Sequence, residues 1–138
     1  MPGSSPRGKI ATLDIREELP PIKTVLDIGP GWGTYSKLLR KPGETWDAVE
    51  IFEPYIKKFN LHKYYDHIYL KNIVDFHSPK QYDLVILGDI LEHVTEDNAK
   101  KTLINIFSFS KYCLLSLPLD DETGADLDNS HYYWGNIH

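Results

Sequence analysis

The sequence predicts an α/β fold, a doubly wound and mostly parallel sheet of about five strands held in an αβα sandwich. Three observations predict it. Short apolar runs alternate with helix-period segments across residues 22–118, the pattern of right-handed βαβ units. The clearest run, 82–88, is nearly continuous in apolar residues, as expected of a strand covered on both faces. A glycine-rich turn follows the first run directly and opens a helical segment.

The elements follow in order. Residues 1–7 are small, polar and proline-containing, and residues 8–19 place Ala11, Ile15 and Leu19 four apart, an amphipathic helix that Pro20 and Pro21 end. Thr24-Val-Leu-Asp-Ile28 is a short run bounded by Gly29-Pro-Gly-Trp-Gly33 and reads as a buried strand. Residues 34–41 wind as a helix, with Lys37, Arg40 and Lys41 toward its carboxyl end and Pro42-Gly43 as its stop. Residues 46–51 read as a second strand, and Glu53-Pro54 opens a second core helix with Tyr55, Phe59 and Leu61 as its stripe. His67-Ile-Tyr-Leu70 is a third strand and residues 82–88 a fourth. Thr95-Glu-Asp97 starts a helix in which Ala99, Leu103, Ile106 and Phe107 keep helical spacing. Residues 111–117 form a fifth strand, stopped by Pro118. The organisation is a start and helix over 1–21, a core over 22–118, and an acidic loop with an aromatic tail over 119–138, in a single domain.

Composition bounds the function. The 138 residues suffice for one domain that buries roughly two-thirds of its unfolded surface. No stretch of about 18 uncharged apolar residues is present, so no membrane span is expected. Cys113 is the only cysteine, which excludes an internal disulfide or a thiolate zinc cage and points to a reducing, cytoplasmic setting. Residues 1–118 hold all 15 Lys and Arg and 15 of the 20 acidic residues, so the net charge of −5 comes from Asp120, Asp121, Glu122, Asp126 and Asp128. A neutral body with an acidic tail offers no footprint for nucleic acid.

Ligands of an open α/β sheet sit beyond the carboxyl ends of its strands. At the first strand, Gly29 and Gly31 allow backbone to approach a ligand, and Gly33 lets the helix start tight against the strand. Glu50 ends the second strand, about twenty residues beyond the turn, where a carboxylate accepts both hydroxyl protons of a ribose. The fourth strand ends in Gly88-Asp89, again small and polar. The turn is G-x-G-x-G, with Thr34 where the third glycine of a dinucleotide fingerprint falls, and Asp27 precedes it. That carboxylate would repel a pyrophosphate and suit an ammonium. A nucleoside with an amino group and no phosphate is therefore the expected ligand, and a nicotinamide dinucleotide is disfavoured.

Val25-Leu-Asp-Ile-Gly-Pro-Gly-Trp-Gly33, Glu50 and Tyr82-Asp-Leu-Val-Ile-Leu-Gly-Asp-Ile-Leu-Glu-His-Val94 together resemble a class I S-adenosylmethionine-dependent methyltransferase, a Rossmann-like family, over roughly residues 22–118. The resemblance implies S-adenosylmethionine as cofactor and S-adenosylhomocysteine as product. It implies that Asp27, Gly29, Gly31 and Gly33 line the methionine and ribose portion, that Glu50 holds the ribose hydroxyls, and that Ile51 and Phe52 lie against the adenine. Asn72 and Ile73 fall at the adenine edge, Asn72 departing from the family's usual aspartate. Gly88 and Asp89 would sit beside the methyl group.

The implied reaction is in-line displacement onto an oxygen or nitrogen of a small-molecule acceptor. Positioning supplies much of the rate, and a hydroxyl acceptor would want a general base. His93 and His131 are the candidate bases, with Asp89 and Glu92 behind them; the plainer alternatives are backbone hydrogen bonding for His93 and aromatic packing for His131. No pair among the six histidines has a metal spacing with suitable partners, so no metal is expected. An Asn/Asp-Pro-Pro-aromatic motif and a Pro-Cys nucleophile are absent from the sequence, which speaks against amino-methylation of DNA bases and C5-methylation of cytosine.

The family's sheet normally has seven strands, and five are legible here. Either further strands lie beyond this sequence or the protein is a reduced version, whose fifth strand needs cover from the tail or from a second subunit. The alternative to an enzyme is a cofactor-binding subunit that a partner completes.

Overall fold

The computed structural model describes residues 12–88, 94–118 and 130–133, with the backbone course alone for 116–118 and 130–133. Its elements are helix α1 (Thr12–Glu18), strand β1 (Thr24–Ile28), helix α2 (Thr34–Leu39), strand β2 (Thr45–Glu50), helix α3 (Glu53–Lys58), a 3-10 turn (Leu61–Lys63), strand β3 (His67–Leu70), a second 3-10 turn (Ile73–Asp75), strand β4 (Tyr82–Gly88), helix α4 (Glu96–Phe109), strand β5 (Ser110–Pro118) and strand β6 (Ser130–Tyr133).

The sheet order is β3-β2-β1-β4-β5-β6. The first five strands are parallel, so the expected α/β architecture is present. Beside these five, residues 130–133 of the expected aromatic tail add a short sixth strand antiparallel to β5, from Leu115↔Tyr133 to Pro118↔Ser130, the cover by the tail that the fifth strand was expected to need. The reason is the open edge. A strand of nine residues offers a row of unpaired N–H and C=O groups, and the tail's backbone pairs with them.

Side chains alternate across the sheet and build two cores. Val25, Trp46, Ala48, Leu84 and Ile86 pack with Tyr35, Leu39, Leu61 and Tyr65 on the face of α1, α2 and α3. Leu26, Ile28, Val49, Val85 and Leu87 pack with Phe76, Ile106 and Phe109 on the face of α4. Helix α4 is capped by Thr95, whose Oγ1 accepts from Asn98 N at 3.2 Å. Its buried stripe is Thr102, Ile106 and Phe109, with Leu103 partly buried, whereas the expected Phe107 is exposed. Phe109 wins the inward position because its ring stacks edge-on against Phe76 and Tyr82, just before β5 begins.

Helix α1 also differs from the apolar stripe expected of it. Ile15 and Leu19 are partly buried against the core, but the fully buried positions are Thr12 and Arg16. The Arg16 guanidinium donates to the Glu44 carboxylate, both side chains 5% exposed. Glu44 is further held by Lys41 N at 2.8 Å and Trp46 Nε1 at 3.1 Å. Both Glu44 oxygens are thereby bonded, which offsets part of the cost of burying the pair, while the buried Arg16 Nε has no hydrogen-bond partner among the described residues. Among the described residues, no helix is long and apolar enough to cross a membrane.

Candidate functional site

The parallel register sets the carboxyl ends of the central strands level. Ile28 pairs with Val49 on one side and with Leu87 on the other. The next residues, Gly29, Glu50 and Gly88, therefore lie in one row along the sheet edge, and Glu50 pairs onward with Leu70 of β3.

The chain leaves β1 through a turn in which Gly29, Gly31 and Gly33 have φ of 67°, 55° and 79°. A side chain at any of them would be strained, so the backbone can lie bare toward a ligand. Gly29 N donates to Val49 O at 2.9 Å, which ties the turn to β2. Gly33 caps α2, and the Tyr64 ring lies beneath it, with Cδ2 3.4 Å from where a Cβ would stand.

Glu50 is buried (5% exposed), and its Oε2 accepts from Phe52 N at 2.8 Å. That bond turns the chain out of β2 one residue earlier than the sequence suggests, so Ile51 lies outside the strand. Burial pushes the Glu50 carboxyl above the ordinary carboxylate range, and the N–H groups of Phe52 and Ile51 partly offset the rise. Beside it, Ile51 and Phe52 are exposed by 64% and 50%, a large apolar surface at the site's edge. Phe52 begins an aromatic row: its ring centroid is 4.7 Å from Tyr55, Tyr55 is 5.0 Å from Phe59, and Phe59 is 6.0 Å from Trp32 in the glycine turn.

Asp27 is buried beneath the turn, and its Oδ2 accepts from Tyr65 Oη at 2.5 Å. Asn72 is exposed and spends its side-chain oxygen on Val74 N at 3.0 Å, capping the second 3-10 turn. Ile73 is buried in the α4-side core. Gly88 faces Tyr35 of α2, a ring that is itself buried.

The structure thus gathers Asp27, Gly29, Gly31, Gly33, Glu50, Ile51, Phe52 and Gly88 around the carboxyl edge, with Asn72 and Ile73 just past β3. Asp89, Glu92 and His93 lie outside the described residues. His131 is in β6, opposite Leu117, with only its backbone described. Among the described residues, no group of three or more His, Cys, Asp or Glu could hold a metal ion. Sequence reasoning missed Tyr35, Tyr64 and Tyr65. Tyr35 follows Thr34 in the first turn after the glycines, a position that could have flagged it. Tyr64 and Tyr65 sit in a polar connection with no local signal.

A family model described as a methyltransferase domain matches residues 8–137. No curated protein matches the sequence. Solved structures with similar folds include an O-methyltransferase family protein from Burkholderia thailandensis, 21% identical with a TM-score of 0.62, covering 83% of this chain and 39% of that one. An amino pentose methyltransferase from Micromonospora echinaspora, with SAM bound, is 15% identical with a TM-score of 0.66, covering 79% of this chain and 49% of that one. Magnesium protoporphyrin IX methyltransferase from Synechocystis PCC 6803, also with SAM bound, is 22% identical with a TM-score of 0.61, covering 80% and 56%. The chain therefore spans about two-fifths to just over half the length of these structures.

Proposed function

The chain belongs to the methyltransferase-domain family, and from that premise we propose that it binds S-adenosylmethionine at the carboxyl edge of its sheet and transfers the methyl group to an oxygen or nitrogen of a small molecule. The observation that carries this reading is the single row of Gly29, Glu50 and Gly88, which sets a bare backbone turn, a buried carboxylate and a small residue side by side.

The residues fit such a ligand in chemistry as well as in place. Glu50 would accept the ribose hydroxyls, since a carboxylate held by backbone N–H groups is a fixed acceptor. The exposed Ile51 and Phe52 would cover the adenine, with Asn72 at its edge. Asp27 would face the ammonium, and a carboxylate beneath the turn disfavours a pyrophosphate there. Gly31 and Gly33 would leave the backbone bare at their own positions in the turn, while Gly88 and Asp89 would border the methyl end. When bound, the sulfonium supplies a methyl group on an already activated leaving group. The chain's contribution is to hold that group in line with the acceptor and keep water out. His93 and His131 stand as the candidate bases for a hydroxyl acceptor. An acceptor that is a small molecule is supported by the neighbours whose names specify an amino pentose and magnesium protoporphyrin IX.

Calorimetric titration with S-adenosylhomocysteine and with NAD tests the reading. Binding of the first and not the second is expected; the reverse order would overturn it. Methyl transfer to candidate acceptors then separates an enzyme from a cofactor-binding subunit.

A further inference from the structure

Tyr65 reaches the glycine turn's carboxylate from across the sheet. It lies between the first 3-10 turn and β3, two strands away from Asp27, yet its hydroxyl donates to Asp27 Oδ2 at 2.5 Å. Ala48, the β2 partner of Asp27 in the register, belongs to the same core cluster as Tyr65.

The segment that carries Tyr65 is fastened on both sides. Tyr64 O accepts from Ser36 Oγ at 2.8 Å and from Arg40 Nη1 at 3.0 Å, so helix α2 grips it. Asp66 N donates to Trp46 O at 2.6 Å, and Asp66 Oδ2 accepts from Trp46 N at 2.9 Å and Arg40 Nη2 at 2.8 Å, so β2 and α2 grip it again. The Tyr64 ring supports Gly33 from below. One short stretch therefore holds the glycine turn at both ends, Tyr64 under Gly33 and Tyr65 on Asp27. Burial and the neighbouring Asp27 charge push the Tyr65 hydroxyl well above the usual phenol range, so it stays a donor.

We propose that Tyr65 is a positioning residue for the amino-acid end of the ligand: its hydroxyl holds the Asp27 carboxylate in one orientation beneath the glycine turn, where the charge meets the ligand's ammonium. This rests on the methyl-donor reading above. A phenol that merely filled the core would influence every ligand alike. A phenol that orients Asp27 influences only ligands that carry the ammonium.

The test compares two ligands on the same protein by calorimetry: S-adenosylhomocysteine, and 5′-methylthioadenosine, which keeps the nucleoside and sulfur but lacks the amino acid. Tyr65→Phe is expected to weaken S-adenosylhomocysteine on the order of tenfold to a hundredfold, the range for a lost hydrogen bond to a charged group, and to leave methylthioadenosine within about twofold. Equal loss for both ligands, or no loss for either, overturns the proposal. Should Tyr65→Phe fail to fold, 3-fluorotyrosine at position 65 serves instead, being nearly the same shape and a stronger donor. It should hold S-adenosylhomocysteine at least as tightly as the native protein and leave methylthioadenosine unchanged, and a loss shared by both ligands overturns the proposal again. If the native protein binds neither ligand, the methyl-donor reading itself falls, which is a different result from an unselective Tyr65→Phe.

Discussion

Gly88 and Tyr35 compete for one space: a Cβ on Gly88 would stand 2.7 Å from Tyr35 Cε2, closer than nonbonded carbons approach. The end of β4 and the first turn of α2 are thereby locked together at the edge where the ligand is proposed to bind. Gly88→Ala should displace the buried Tyr35 ring and destabilise the protein by about 1–3 kcal/mol, the usual range for overpacking. Urea unfolding checks this, and an unchanged midpoint would show that the ring yields freely.

Glu50→Gln should separate binding from stability. Binding of S-adenosylhomocysteine should weaken on the order of tenfold or more, since the ribose loses a charged acceptor. The unliganded protein should be no less stable near neutral pH, because a buried charge has been removed. The sign follows from the raised pKa: the folded state favours the protonated acid, so this group's stabilising contribution is present below its ordinary value of 4.5 and is lost as pH rises through the folded value. Ligand affinity should run the opposite way, falling as acidification protonates the carboxylate. Thermal melts and titrations across pH 4 to 8 (about four units) measure both slopes.

Removing one partner of the Arg16–Glu44 pair should be costly. Glu44→Gln leaves a buried guanidinium facing a neutral amide and should destabilise by about 3–5 kcal/mol. Replacing both, as Arg16→Met with Glu44→Gln, should recover part of that loss. Denaturant unfolding of the single and double variants gives the coupling, and additive losses would show that the two side chains act independently.

Cys113 should be inert in the folded protein. It is buried, and burial pushes its thiol up to about 12. Since the thiolate is the reactive form, iodoacetamide should label Cys113 only under unfolding conditions. Rapid labelling of the native protein would contradict its place in the α4-side core.

Local pattern made much of this molecule legible. The apolar runs at 24–28, 67–70 and 82–88 are strands with those bounds, because a buried strand needs only consecutive residues of the right kind and punctuation at its ends. The G-x-G-x-G turn and the place of Glu50 at the end of β2 were readable for the same reason. Where neighbours in the chain compete, local pattern does not decide the outcome: Glu50 ends β2 by capturing Phe52 N, and Phe109 takes the inward position in α4 from Phe107.

What the amino-acid order alone determined is thus the identity of the elements and the groups that arrive at the sheet's carboxyl edge. Only the tertiary structure decided which distant residues hold those groups still. Tyr65 meets Asp27 across 38 positions and Arg16 meets Glu44 across 28, and residues 130–133 find the edge of β5. Such pairings depend on a buried polar group needing a partner wherever the folded chain can supply one, and sequence spacing carries no record of that need.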